Sequence, residues 1–271
     1  MSGSRTMKTL ARARVLLSRA LTGGRRDGRP DADGLVSYAQ QGEDMILHCL
    51  FQGHGPGFFV DVGAHHPWRF SNTYFFYLRG WRGINIDAMP GSMDAFRAAR
   101  PEDVNLECAV AEARGSRTFY QFDEPAVNGL SREMSEARAA EGYFRPVCSV
   151  EIPTTPLAEI LDTHVPSGRS IDFLTVDAEG LDLEVLRSND WPRFRPKVVV
   201  VEDSDALLVD DLGRSEVAAY LRGHGYRPCA KSVHSLFLAD ERRLVKRPDR
   251  FFAEESDSGL RDGETPGGPP A

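Results

Sequence analysis

Two rhythms of apolar positions alternate along the chain. Short runs such as FFV (58–60), INI (84–86), FLTV (173–176) and VVVV (198–201) are nearly all apolar. Runs of this length, bounded by glycine and acids, predict buried strands. Between them apolar residues recur three and four apart, which predicts helices. SYAQQGEDMILHCLF (37–51) opens with a Ser37-x-x-Gln40 capping box, and Met45, Ile46, Cys49 and Leu50 form its apolar face. SNTYFFYLRGW (71–81) predicts a helix stopped by Gly80, and GSMDAFRAARP (91–101) one capped by Ser92 and closed before Pro101. TPLAEIL (155–161) has Thr155 as cap with Pro156 at the first helical position, and DLEVLRSND (182–190) and SEVAAYLRGHGY (215–226) complete the helices.

The other strands are less uniform. NLECAVAE (105–112) and SRTFYQF (116–122) predict a third and a fourth strand, followed by the loop DEPAVNGLS and a solvated helix, SREMSEARAAEGYF. VCSVEIPTT (147–155) reads as an extended edge because of its proline. YRPCAKSVHSLFLAD (226–240) predicts an antiparallel pair. Strands alternating with helices imply an α/β fold: a Rossmann-like, mostly parallel sheet, covered by helices on both faces, with the closing hairpin as an antiparallel insertion at one edge.

Composition narrows the class. A chain of 271 residues, 41% hydrophobic and 27% charged, has the make-up of a soluble globular protein, and its net charge of −7 argues against nucleic acid as a partner. Cys49, Cys108, Cys148 and Cys229 are widely spaced without a CxxC pair, which speaks against a disulfide framework and fits a reducing, cytoplasmic setting. The domain is expected over 35–250. Residues 1–34 form a basic leader, rich in arginine and broken as a secretory signal, that reads either as disordered or as a helix lying peripherally on anionic lipid. Residues 251–271 read as a disordered acidic tail.

In open α/β sheets, ligands bind beyond the carboxyl ends of the strands. Here those positions hold Asp61-Val62-Gly63-Ala64, Asp87-Ala88, Val110, Asp177-Ala178-Glu179 and Glu202-Asp203. All but one of these strand ends carries an acid. The first turn cannot cradle a pyrophosphate, because a dinucleotide turn needs G-x-G-x-x-G and only Gly63 is present, beside a repelling Asp61. A cationic ligand without phosphate, such as S-adenosylmethionine, suits the turn better. Gly63 admits its backbone approach, and Asp87, about 24 residues on, stands where a carboxylate accepts ribose hydroxyls. The cofactor candidates are thus Asp61, Gly63, Ala64, Asp87, Ala88 and Asp177. The competing reading is that Asp61 and Asp87 only cap the following helices.

The segments SYAQQGEDMIL, FFVDVGAHHPWRFSNTYFFYLRGWRGINIDAMP, RPEDVNLECAV, IDFLTVDAEGLDLEVL and RPKVVVVE, in this order over roughly residues 37–240, resemble the FkbM-type family of S-adenosylmethionine-dependent methyltransferases. The resemblance implies a seven-stranded methyltransferase fold and methyl transfer to oxygen, often a sugar hydroxyl in a polysaccharide, glycolipid or natural product. It puts Asp61 and Gly63 on the cofactor turn and Asp87 at the ribose. The family often has Glu-Pro where this chain has Asp87-Ala88.

Methyl transfer to a hydroxyl also needs its proton removed, by a base or by a metal that acidifies it. For a metal, Asp177 or Glu179 could join Glu202 or Asp203 across neighbouring strand ends to hold a magnesium-like cation. For a base, His65 or His66 follows the cofactor turn directly. Gln41, Glu43 and Asp44 could reach the cofactor from the first helix, and Asn72 and Thr73 could touch either ligand. DEPAVNGLS, with Asn128 and Gly129, is a candidate acceptor-side lid. Trp68, Phe70, Tyr120 and Tyr143 could stack on a carbohydrate or glycoconjugate. The alternatives are a nicotinamide-dependent oxidoreductase, opposed by the missing glycines, and a non-catalytic, membrane-associated scaffold of the same fold.

Overall fold

The computed structural model describes residues 34–203, 208–247 and 250–252, so the basic leader and the acidic tail lie almost wholly outside the described residues. The main sheet takes strands β1 (Phe58–Val62), β2 (Arg82–Asp87), β3 (Val104–Glu107), β7 (Phe173–Val176), β8 (Val198–Glu202), β9 (Tyr226–Lys231) and β10 (Ser235–Asp240). Its order is β3-β2-β1-β7-β8-β10-β9, with β10 antiparallel to both of its neighbours and the rest parallel. Strand order reverses between β1 and β7, which makes that junction the switch point.

Both faces of this sheet are covered. On one, Val60, Ile84, Leu174 and Val199 pack against α5 (Leu157–His164), α6 (Asp182–Arg187) and α7 (Glu216–Gly223). On the other, Phe59, Phe173 and Val200 pack against α1 (Glu43–Leu50) and the single turn α2 (Tyr74–Tyr77). α3 (Ser92–Ala99) buries Met93 and Phe96 beneath Ala64, next to the first turn.

Several expectations are corrected. The third predicted strand splits into β3 and the two-residue β4 (Ala109–Val110). β4 leaves the main sheet and joins β5 (Gly115–Phe122) and β6 (Pro146–Thr155) in a separate three-stranded sheet. β6 lies in the middle of that sheet rather than at an edge, and its Pro153 stands opposite Ser116. A C-terminal pair, β11 (Leu244–Arg247) and β12 (Arg250–Phe252), was not anticipated; Phe252 is fully buried and stacks on Phe51.

The capping box at Ser37 does not form. Asp44 captures that segment instead, accepting from the Ser37 hydroxyl at 2.6 Å and from the Tyr38 N–H at 2.6 Å, so α1 starts after Gly42. Its buried face is then Glu43, Asp44, Leu47 and Leu50, and Cys49 is exposed. α3 likewise begins after Gly91 without a side-chain cap, and α5 is capped by Pro156 because Thr155 is spent in β6. The solvated helix α4 (Arg132–Glu141) forms as expected, with Ser131 accepting from the Met134 N–H at 3.3 Å. Among the described residues no helix is long and apolar enough to cross a membrane.

Candidate active site

The ends of β1, β2 and β7 meet in one hydrogen-bonded knot. The Asp177 N–H donates to the Val62 carbonyl at 3.0 Å, while the N–H groups of Gly63 and Ala64 both donate to the Ile86 carbonyl at 2.9 and 3.0 Å. Gly63 sits at φ 82°, and a Cβ there would run into the Asp177 carbonyl oxygen. Only glycine lets the two backbones lie this close. The Asp87 carboxylate faces the same turn, accepting from the His65 N–H and the Met89 N–H, each at 2.8 Å.

Above this floor lies a cavity of about 610 Å³, lined by Gly63, His65, Phe70, Asp87, Asp177 and Glu179 among others. Its roof is the segment 123–130 with Tyr143 and Phe144, all from the chain between β5 and β6. Two ion pairs link the roof to the residues below, one buried and one at the rim. Glu124 reaches Arg69 at 3.3 Å, and Arg138 of α4 pairs with the buried Glu179 while donating to the Val127 carbonyl at 2.6 Å. Among the described residues three non-glycine residues have a left-handed backbone, His65, Phe70 and Glu179, and all three line this cavity. Strain of that kind persists only where surrounding structure imposes it, and it gathers at functional sites.

The predicted residues are distributed unevenly around this space. Gly63, Asp87, Ala88, Asp177 and Glu179 line it. Asp61 does not: it points to the other side of β1, where Thr73 Oγ1 donates to it at 2.9 Å and receives a bond from the fully buried Arg100 at 3.0 Å. Ala64 is buried against α3. Asp177, Glu179 and Glu202 bring carboxylate oxygens within 4.8 Å of one another, a spacing that one cation could span. Asp203 is not in that group, because it accepts from the Ser215 hydroxyl at the start of α7. Of the two histidines, His65 lines the cavity, whereas His66 Nδ1 accepts from the N–H groups of Trp68 and Arg69 at 3.3 and 3.2 Å and shapes the loop.

A family model for the FkbM methyltransferase domain matches residues 61–228, from the end of β1 into β9. The chain belongs to the FkbM methyltransferase family. Crystal structures of methyltransferase FkbM from Methylobacillus flagellatus KT and of precorrin-6y C5,15-methyltransferase from Geobacter metallireducens GS-15 are similar to it in outline. The first has a TM-score of 0.40 at 10% identity, over 71% of this chain and 47% of that chain. The second has a TM-score of 0.40 at 15% identity, over 77% of this chain and 90% of that chain. No curated protein matches.

Electrostatics distinguish the acids around the cavity. Burial pushes the Asp61 carboxyl up to about 6, against the pull of Arg100 and the Thr73 hydrogen bond. Burial also raises Asp87 above the usual carboxylate range, although two backbone N–H groups oppose the shift. Asp182, which the sequence reading passed over, accepts from the N–H groups of Ala178 and Gly180 at 2.9 and 3.2 Å. It thereby shapes the loop that presents Asp177 and Glu179, and burial together with the Asp177 charge lifts it to about 7. Arg138 was equally missed, since nothing in an arginine on a polar helix signals a partner 41 residues away. Of the first-helix candidates, Glu43 is tied to Ser232 at 2.7 Å and Gln41 to the His234 N–H at 2.8 Å, and the neighbouring Gln40 lines the cavity instead. Asn72 and Thr73 are engaged with Thr175 and Asp61. Phe70 and Tyr143 line the cavity, Trp68 and Tyr120 do not.

Asp61 makes stability depend on pH. Its folded pKa of about 6 lies above the ordinary 3.8, so the stability it contributes is fully present below pH 3.8 and is lost as pH rises through 6. Asp61→Asn, which still accepts from Thr73, is expected to flatten the fall in Tm between about pH 4 and 6. The effect is roughly 2 to 3 kcal/mol at most, and parallel pH-dependent melts of both proteins would measure it.

Proposed function

We propose that this methyltransferase uses S-adenosylmethionine to methylate a hydroxyl oxygen of a sugar or glycoconjugate. The observation that carries the reading is the pairing of the Gly63 turn with the Asp87 carboxylate on one cavity at the switch point. Each Asp87 oxygen takes one backbone hydrogen bond and keeps lone-pair capacity for a ribose hydroxyl. The cavity volume is that of a small-molecule site. Acids on the floor suit a sulfonium and an ammonium, and would repel a pyrophosphate.

Bound S-adenosylmethionine would supply an electrophilic methyl on a good leaving group. This chain's residues then have two tasks, alignment and proton removal. Asp87 and the Gly63 backbone orient the donor, and the roof segment shields the space from water. His65 is the base: burial holds its imidazole below the usual 6.5, so it is neutral at pH 7, and its buried Nε2 has no hydrogen-bond partner. The acceptor hydroxyl gives its proton to the His65 imidazole as its oxygen takes the methyl. A second reading, a divalent cation at Asp177, Glu179 and Glu202, is favoured by their spacing, but the cation must compete with Arg138 for Glu179.

Calorimetric titration with S-adenosylhomocysteine and NADH in parallel tests the cofactor. Binding of NADH alone would move the chain to the oxidoreductases. His65→Asn, which tolerates the left-handed backbone, tests the base. Methyl transfer from labelled S-adenosylmethionine to oligosaccharides is expected to fall about 10²- to 10⁴-fold. In the wild type an acid limb should appear only below pH 6.5. Full activity of the variant, with activity lost on chelation by EDTA, would favour the cation instead.

A further inference from the structure

Five acids line the cavity, Asp87, Asp123, Glu124, Asp177 and Glu179, and against them stands one arginine, Arg69. Asp87 and Asp177 belong to the floor. Glu179 is taken by Arg138, and Asp123 by Arg145 at 3.0 Å. Glu124 is left for Arg69, and that pairing is loose. One guanidinium nitrogen meets one carboxylate oxygen at 3.3 Å, where a fork-on-fork arrangement would make two bonds. The two side chains are 37% and 34% exposed, which sets the pair at the rim, away from the buried knot of Gly63 and Asp177. The Arg69 Nε is buried without a hydrogen-bond partner. The guanidinium is steadied 4.6 Å over the ring of Phe70, one of the three left-handed residues. Glu124 can let go at little cost, because its Oε1 also accepts from the Ala126 N–H at 3.3 Å in its own turn.

We infer that Arg69 is the seat for a carboxylate on the acceptor, that the methylated sugar is therefore an acidic one of the uronic acid class, and that Glu124 stands in for its carboxylate before it arrives. This rests on the methyltransferase reading above. The rim position assigns the carboxylate to the acceptor, since the methionine end of the donor belongs at the floor beside Gly63. A single negative charge is favoured over a phosphate, because the stand-in is itself a carboxylate and a dianion would meet more repulsion from the other acids.

The full chain, saturated with S-adenosylhomocysteine, is titrated with methyl glucuronoside, methyl glucoside and glucose 6-phosphate by saturation-transfer NMR. Affinity for S-adenosylhomocysteine is measured alongside for every variant. The glucuronoside is expected to bind about tenfold or more tighter than the glucoside. Arg69→Gln should abolish that preference and Arg69→Lys restore part of it. Glu124→Gln should raise glucuronoside affinity severalfold, because a competitor for the guanidinium has gone, whereas a purely structural role for the pair predicts no gain. Equal binding of acid and neutral sugar, binding of neither, or preference for the phosphate would overturn the inference. A tenfold loss of S-adenosylhomocysteine affinity in Arg69→Gln would overturn it too, by giving Arg69 to the donor's carboxylate. Failure of the wild type to bind S-adenosylhomocysteine is seen before any sugar is added, and sinks the reading underneath as well.

Discussion

Asp87→Ala is expected to weaken S-adenosylhomocysteine binding by about two to four orders of magnitude, read by calorimetry. In the proposed reading the carboxylate at the end of β2 accepts from two ribose hydroxyls, and hydrogen bonds to a charged acceptor contribute about 1.5–3 kcal/mol each. Its loss also releases the N–H groups of His65 and Met89 that it now holds. A modest drop in Tm should accompany the affinity loss, so circular dichroism of the variant must first show the fold intact. Asp87→Asn separates the two effects: it keeps the shape and an acceptor oxygen but removes the charge, and should fall between wild type and alanine. Affinity in the alanine variant within a few-fold of wild type would remove Asp87 from the cofactor site.

Gly63→Ala should be the most damaging small change for stability, at about 3 kcal/mol or more. Two penalties coincide there, a left-handed backbone and a Cβ directed into the Asp177 carbonyl oxygen, which belongs to a neighbouring strand end and cannot swing aside. Gly91→Ala is the matched control. Gly91 has the same φ of 82° but open space where a Cβ would go, so only the conformational penalty of about 1 kcal/mol applies. Denaturant melts of the two variants therefore isolate the close approach of β1 and β7. Equal destabilisation would mean that the knot at the strand ends is looser than its hydrogen bonds suggest.

The main sheet was legible because its strands are short, apolar and separated by helices, and because Asp87, Asp177 and Glu202 stand where such strands stop. What period-two geometry decides was not legible from adjacency alone. Neighbouring residues on a strand face opposite ways. Glu202 therefore meets Asp177, while Asp203 turns to Ser215, and Asp61 faces Thr73 although Val60 and Val62 face the other core. The excursion from β4 to β6 escaped for a different reason. Its Phe119 and Phe122, flanking Tyr120 and Gln121, mark a strand without saying which sheet receives it, and the ties that bring the excursion over the cavity, Arg138 to Glu179 and Glu124 to Arg69, span 41 and 55 residues. Asp182 escaped because a carboxylate folding a tight loop over two backbone N–H groups looks, in a string of letters, like any acid opening a helix.

The floor and the roof of the cavity come from different stretches of chain. Gly63, Asp87 and Asp177 are fixed by the main sheet, whereas the roof hangs from the three-stranded sheet and α4, pinned by the buried pair of Arg138 and Glu179. Substitutions in the roof can therefore accumulate without disturbing the strand ends beneath them. A lineage of such proteins could reshape the mouth of the cavity by redrawing the roof alone, while the strand ends below are inherited intact.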